Sequence, residues 1–203
     1  MGKFLKRLAW RWKNLTVREL FNSYFPVDIH LPDIRLDKYD ALVRDRIQPD
    51  PNASDELPFV FIKPGGMPLE GRIKDFIASK GMRIAEERGI DNYVALAVSI
   101  YKFQPRKGSE IPQNYIWAAL EDMKMPHRTK CFILDKGSVD LAGLREFKKE
   151  LRHFLGPIKF YRIHYHGAAD TAFASYVHVP ERQDIAREYS VLRKFLEAQD
   201  AKH

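Results

Sequence analysis

Residues 58–67 read Pro-Phe-Val-Phe-Ile-Lys-Pro-Gly-Gly-Met, and this stretch decides the fold that we predict for the chain. The apolar run from Phe59 to Ile62 combines β-branched and aromatic side chains, which is typical of a strand buried on both faces. Lys63 ends the run with a charge, and Pro64 with the two following glycines turns the backbone. A lysine at such a strand end either contacts a phosphate group or extends to solvent, and the stretch alone leaves both interpretations open.

The composition predicts a globular protein with an excess of positive charge. The chain has 203 residues, of which 45% are hydrophobic, enough for one domain with an extension or for two small domains. Its formal net charge of +7 favours contact with nucleic acid, anionic lipid or an acidic partner. Cys131 is the single cysteine, which excludes an internal disulfide and favours a reducing, intracellular compartment. No apolar run approaches the roughly 20 residues that a transmembrane helix needs.

The first 25 residues predict a basic amphipathic helix, because apolar side chains recur at helical spacing among lysines and arginines, with almost no acids. Such a basic segment resembles a mitochondrial targeting segment, so we expect a mitochondrial location, with the cytoplasm as the alternative. The predicted docking residues are Trp10, Trp12, Arg7 and Arg11. A helix of this kind docks on another protein subunit, on an anionic lipid surface or on the chain's own domain.

Residues 26–57 differ in character, since prolines punctuate them and acids and bases are mixed. A helical turn or two is predicted within residues 36–47, and the polar run over residues 48–55 is typical of a linker. We therefore predict an extension over residues 1–57 and a folded domain over residues 58–203.

Beyond the opening strand, helices and strands alternate along the chain. The predicted helices cover residues 69–80, 109–123, 140–155 and 181–198, and the further strands cover residues 93–103, 130–134 and 173–179. Without the second helix, this order is βαββαβ followed by a terminal helix. It predicts an α+β fold, a ferredoxin-like sandwich in which helices cover one face of an antiparallel four-stranded sheet.

Four short motifs accompany this order of elements. Lys63-Pro-Gly-Gly follows the first strand, and Lys80-Gly ends the next helix. Arg152-His-Phe-Leu-Gly ends a later helix, and Tyr176-Val-His-Val precedes the acidic last helix. Together these motifs resemble those of the nucleoside diphosphate kinase family, which moves a γ-phosphate between nucleotides through a phosphohistidine.

The resemblance implies roles for several single residues. It makes His178 the candidate phosphate acceptor, with Lys63, Arg152 and Arg162 as nucleotide-binding residues that offset the charge of the phosphoryl group. Glu188 loosely matches the glutamate that orients the family's histidine. Magnesium is implied only as an ion that arrives with the nucleotide, and no metal site of the protein itself is predicted. The alternative interpretation of His178 is a strand-end histidine that hydrogen-bonds to a neighbour.

Several positions depart from the family pattern. Gly65 stands in place of an acid, Ile158 in place of a threonine and Ser175 in place of an asparagine. Val179 and Pro180 replace a Gly-Ser pair, which adds bulk and removes hydrogen-bond donors beside the histidine. The sequence therefore predicts a kinase-like domain with a decayed active site, a pseudoenzyme that serves as an accessory subunit of a larger assembly.

Two alternative functions are kept open. The first is an active nucleoside diphosphate kinase that transfers a γ-phosphate through His178, as the homo-oligomer that the family resemblance suggests. The second is an RNA-contacting subunit of a ribonucleoprotein, because aromatic and basic side chains adjoin in residues 101–103 and 160–162 and could stack on bases.

His164 and His166 lie two residues apart, with Asp170 nearby, and would share one face of a strand. They suggest either a metal site or a polar strand facing solvent. A structural metal site needs about four ligands, so we favour the polar strand.

Overall fold

The architecture is two sheets with helices packed around them. The structure is a computed structural model that describes residues 26–30, 37–101, 122, 128–156, 159–165 and 168–202. The strands are β1 Val27–His30, β2 Phe59–Ile62, β3 Ile84–Ile90, β4 Thr129–Leu134, β5 Lys159–Tyr165, β6 Ala168–Ala174 and β7 Val177–His178. The α-helices are α1 Asp37–Arg44, α2 Glu70–Ser79, α3 Tyr93–Ile100, α4 Leu144–Leu155 and α5 Ile185–Asp200. Short 3-10 helices cover Pro64–Leu69, Lys136–Ser138 and Arg182–Asp184.

The larger sheet has four strands in the order β3-β4-β2-β7, and each neighbouring pair is antiparallel. The predicted antiparallel four-stranded sheet is therefore confirmed. β2 lies in its interior, where Phe59 pairs with Ile133 of β4 and Phe61 pairs with His178 of β7.

Both faces of β2 are buried, as its apolar run predicts. Val60 and Ile62 contribute to a core with α2 and α4 on one face of the sheet. Phe59 and Phe61 contribute to a second core with α3 and α5. The prediction that helices cover only one face is therefore wrong, because the two phenylalanines on the other face also need burial.

The third helix corrects the strand predicted over residues 93–103. Asn92 caps it, since its side-chain oxygen accepts a hydrogen bond from the backbone N–H of Ala95 at 3.1 Å. Apart from Ala95, every residue of α3 is buried. A helix that is apolar on all sides shows no helical periodicity, and a short apolar run of this kind is easily mistaken for a strand.

A second difference is β3, which was not predicted. It carries Glu86, Glu87 and Arg88 and lies at the edge of the sheet formed by the described strands, of which it pairs only with β4. Charged side chains protect an edge strand from further pairing, and they also remove the apolar alternation by which strands are recognised.

The strand predicted over residues 173–179 is divided between the two sheets. β6 ends at Ala174 and pairs with β5, whereas β7 pairs with β2. Between them, the Ser175 hydroxyl donates to the Val177 carbonyl at 2.6 Å, and the Lys63 N–H donates to the Tyr176 carbonyl at 2.9 Å. These bonds turn the chain from one sheet into the other.

The smaller sheet has the order β1-β5-β6, with β1 parallel to β5 and β5 antiparallel to β6. β1 and α1 come from residues assigned to the extension, and α1 matches the helix predicted there. The Ile47 N–H donates to the Ser99 hydroxyl and the Asp50 N–H to the Ser190 hydroxyl, both at 3.0 Å. The segment before the predicted boundary is thus hydrogen-bonded to the domain.

The other predicted elements agree in position with α2, β4, α4 and α5, within a few residues at each end. Cys131 on β4 is fully buried, and burial raises the pKa of its thiol well above the ordinary value. None of the helices in the described ranges is long and apolar enough to cross a bilayer. The predicted basic helix with Trp10, Trp12, Arg7 and Arg11 lies outside the described residues, as does the helix predicted over residues 109–123 except for Asp122.

Candidate functional site

His178 ends the short strand β7, an outer strand of the larger sheet as described, and is buried, with 8% of its surface exposed. The ring centroids of Phe59 and Phe61 lie 6.4 and 6.1 Å from its own. Burial lowers the pKa of His178 below its ordinary value, and the carboxylate of Glu188 opposes this effect. The imidazole is therefore neutral at pH 7.

A carboxylate determines which nitrogen of His178 carries the proton. Nε2 lies 2.7 Å from Oε2 of Glu188, a residue of α5 that is itself only 6% exposed. Because a carboxylate only accepts hydrogen bonds, Nε2 is the N–H donor and the lone pair lies on Nδ1. The hydroxyl of Tyr101 lies 3.4 Å from Nδ1. The second oxygen of Glu188 accepts from the guanidinium of Arg187 at 3.0 Å.

Lys63 lies at the end of β2, is 2% exposed and therefore does not extend to solvent. Its ammonium group is 5.7 Å from the centroid of the Tyr101 ring. Its positive charge also contributes to the lowered pKa of His178. The solvent-facing interpretation of this lysine is therefore wrong, and the lysine lies near the histidine.

Two more cations come from successive turns of α4. Arg152 begins the motif Arg152-His-Phe-Leu-Gly. Lys148 precedes it by four residues, so both side chains lie on one face of the helix. The Lys148 side chain is 13% exposed, and its ammonium group lies 3.7 Å from the Glu181 carboxylate. Burial and the nearby charge of Arg152 lower the pKa of Lys148 to about 8.

We name these residues the His178 cluster. Its members are Lys63, Tyr101, Lys148, Arg152, His178 and Glu188. The sequence indicates Tyr101 only as an RNA-stacking residue, and Lys148 belongs to none of the quoted motifs. The one sequence signal for Lys148 is its position one helical turn before Arg152. The cluster combines a neutral, oriented imidazole with a group of positive charges in a desolvated setting.

Arg162, the third predicted nucleotide-binding residue, lies on β5 of the smaller sheet. Its guanidinium is 3.5 Å from the carboxylate of Asp28 on β1, and its side chain is 43% exposed. The structure thus places it in an ion pair between strands of that sheet.

His164 lies beside Arg162 in the same group of side chains. Its Nε2 is 2.6 Å from Asp28, and its ring stacks on that of His30 with centroids 4.6 Å apart. The His164 bond is the largest cause of the lowered pKa of Asp28. Among the described residues, no group of three or more His, Cys, Asp or Glu side chains could hold a metal ion. His166 lies outside the described residues.

Two of the substituted positions follow members of the His178 cluster along the chain, Gly65 after Lys63 and Val179 after His178, whereas Ile158 lies outside the described residues. Gly65 is exposed within the 3-10 helix that follows Lys63. Val179 and Pro180, directly after the histidine, are both buried, so they occupy space at the end of β7.

The likeness to nucleoside diphosphate kinases comes only from the short sequence motifs quoted above. No family model, curated protein or solved structure matches the chain. The chemistry of the His178 cluster must therefore be argued from its own contacts, burial and charges.

Proposed function

We propose that the His178 cluster is a phosphoryl-transfer site in which Nδ1 of His178 accepts a phosphoryl group from a nucleoside triphosphate, the activity of a nucleoside diphosphate kinase. The observation that carries this proposal is the 2.7 Å hydrogen bond between Nε2 of His178 and Glu188. It leaves the lone pair on Nδ1, the nitrogen that faces Tyr101. A neutral, oriented imidazole is a competent nucleophile.

In the proposed reaction, Nδ1 of His178 attacks the γ-phosphorus. The N–P bond forms as the bond from the γ-phosphorus to the bridging oxygen breaks, and the nucleoside diphosphate leaves with that oxygen. The ring then carries positive charge, which Glu188 stabilises through Nε2–H. A second nucleoside diphosphate takes the phosphoryl group onto its terminal oxygen, and His178 returns to its neutral form.

Two groups of side chains support the charge changes of this reaction. Lys63 and Arg152 offset the negative charge of the phosphoryl group as it moves. The phenylalanines beside His178 exclude water and keep its pKa low, so that the nucleophile is unprotonated at neutral pH.

Magnesium does not fit the protein groups around His178. Glu188 is hydrogen-bonded to His178 and Arg187, and Glu181, the other acid that acts on Lys148, pairs with that lysine. In this proposal a magnesium ion is held by the phosphate oxygens of the nucleotide, and no step depends on a ligand from the chain.

We further propose that β2, α2, β3, β4, α4 and β7 form a ferredoxin-like βαββαβ core. In support, the strand order β3-β4-β2-β7 is antiparallel throughout, with α2 between β2 and β3 and α4 between β4 and β7. In this interpretation, α3 and α5 are additions that cover the other face of the sheet.

A second candidate is the pseudoenzyme, an accessory subunit that docks through its N-terminal segment. The buried Val179 and Pro180 favour it, because they supply bulk and no side-chain donor beside the histidine. In this case the 2.7 Å bond between His178 and Glu188 serves only to satisfy two buried polar groups.

Labelling with ATP separates the two candidates. The full chain is incubated with γ-labelled ATP and magnesium, and acid-labile label on the protein is measured. We expect label on the wild type and on His164→Ala, whose histidine lies in the smaller sheet, but none on His178→Ala. An unlabelled wild type, at a protein concentration where folding is verified by circular dichroism, would contradict the transfer proposal and favour the accessory subunit.

A further inference from the structure

Lys148 is a buried lysine, and its ion pair replaces little of the hydration that its ammonium group loses on burial. Its side chain is 13% exposed, yet the distance to the Glu181 carboxylate is 3.7 Å. The more exposed Lys80 and Lys149 lie 2.7 and 3.1 Å from their acidic partners. A buried ammonium group normally requires a close partner, because the lost hydration must be replaced by direct hydrogen bonds.

Glu181 is in turn held elsewhere. Its side chain is 48% exposed and accepts a hydrogen bond from the amide of Gln183 at 3.0 Å. This contact is the largest cause of the lowered pKa of Glu181, ahead of the charge of Lys148. The carboxylate can therefore separate from Lys148 without losing all of its partners.

We propose that Lys148 is a phosphate-binding residue of the His178 cluster, and that a phosphate group of the nucleotide replaces Glu181 as its partner. This inference rests on the proposed phosphoryl-transfer function and adds to it a residue that the quoted motifs do not contain. Lys148 lies on the same face of α4 as Arg152, the charge of Lys63 acts on it, and its own charge helps to lower the pKa of His178. Three neighbouring cations suit a polyphosphate better than they suit one carboxylate.

The charged state of Lys148 makes the inference testable through pH. The groups that act on it are Arg152 on its own helix, Lys63 at the end of β2, Glu181 before the last 3-10 helix and Glu188 on α5. With a pKa of about 8, Lys148 is mainly charged at pH 7 and mainly neutral at pH 9. Binding of a phosphate through Lys148 should weaken over this range.

The test is calorimetric titration of the full chain with ADP at pH 7. Lys148→Met should weaken ADP binding at least about tenfold, because a charge-assisted hydrogen bond is lost. The control is Lys149→Met, since Lys149 is the adjacent lysine and pairs with Glu146 on the outer face of α4; its affinity should stay within about twofold of the wild type. Glu181→Gln should tighten binding severalfold, because the competing carboxylate is removed.

In a second experiment, the affinity of Lys148→Arg for ADP is measured at pH 7 and at pH 9. Arginine keeps its charge at both values, so this variant should retain affinity for ADP but lose the decrease that the wild type shows. Lys148→Met should also lack the decrease. A merely structural role for Lys148 would not produce these paired pH profiles.

The two experiments distinguish a failure of the Lys148 proposal from a failure of the phosphoryl-transfer proposal. Equal ADP affinity of Lys148→Met and the wild type, or a wild type that does not bind ADP, would overturn the role of Lys148. A wild type that binds ADP with the expected Lys148 dependence but takes no acid-labile label would instead overturn the transfer reaction and leave Lys148 as a residue of a nucleotide-binding site.

Discussion

At the scale of single residues, the buried charge of Lys148 opposes the stability of the fold around it. Its pKa falls from 10.5 to about 8, chiefly through burial. Such a fall corresponds to a cost on the order of 3 kcal/mol for keeping the ammonium group charged in the folded protein at pH 7. A chain with no use for this charge would be more stable with an apolar side chain at the position.

We therefore predict that Lys148→Met raises the free energy of unfolding by about 1–3 kcal/mol at pH 7, because the thioether fills similar volume and needs no hydration. Urea denaturation measures the change. Lys149→Met, at a half-exposed position, should stay within about 0.5 kcal/mol of the wild type. A Lys148→Met variant less stable than the wild type would show that the ion pair with Glu181 outweighs the burial cost.

The same substitution should remove a pH dependence. The folded pKa of about 8 lies below the unfolded value of 10.5, so the unfolded chain binds more protons between these values. The contribution of Lys148 to the free energy of unfolding therefore rises from pH 8 to pH 10.5 and is flat below this window. The difference in stability between Lys148→Met and the wild type should shrink as the pH is raised through it.

At the scale of elements, the 3-10 helix Pro64–Leu69 connects β2 to α2 and packs against the residue that precedes β7. The N–H of Gly66 donates to the Lys63 carbonyl at 2.7 Å, and Gly66 itself is buried against Tyr176. A Cβ atom on Gly66 would collide with the Tyr176 carbonyl oxygen. Glycine is needed there for close approach of two backbones, one leading from Lys63 and the other leading to His178.

Gly66→Ala should accordingly lower the free energy of unfolding by about 2 kcal/mol, since backbone must move to admit a methyl group. Gly71→Ala on α2 is the matched control, because a Cβ atom there has no atom within 4 Å. Its stability should be unchanged or higher by up to about 1 kcal/mol through helix propensity. Denaturation curves of the two variants that coincide would show that the contact at Gly66 is not needed.

At the scale of the whole molecule, the residues before the predicted domain boundary contribute a strand to the fold. β1 pairs with β5 from Val27 opposite Tyr161 to His30 opposite His164. Without β1, the smaller sheet would be a two-stranded hairpin, which is marginally stable at best by itself.

Removal of residues 1–36 should therefore weaken the protection of β5 amides against hydrogen exchange at least about tenfold, as local opening becomes easier. Removal of residues 1–25 retains β1 and should leave that protection unchanged. Exchange followed by mass spectrometry over residues 159–165 measures the effect, with β2 and β4 as internal controls. Unchanged protection after the longer deletion would support a domain that begins near residue 58.

The sequence by itself determined the elements whose pattern is local. β2 was recognisable from its apolar run and its turn, and α2, α4 and α5 from apolar positions at helical spacing, because these signals depend only on neighbours along the chain. Lys63, Arg152 and His178 were identified by short motifs around them. The proximity of the three could not be read from those motifs.

Tertiary structure decided what depends on distant partners. α3 is buried on all sides, and β3 is a charged edge strand, so neither shows the periodicity that identifies its type. Lys148 and Glu188 belong to the His178 cluster because α4 and α5 pack against opposite faces of the larger sheet and both reach the end of β7. Arg162 does not belong to it, because β5 lies in the smaller sheet. The burial, the ion pairs and the shifted pKa values of these side chains all depend on contacts between residues far apart in the sequence, which form only when the chain folds.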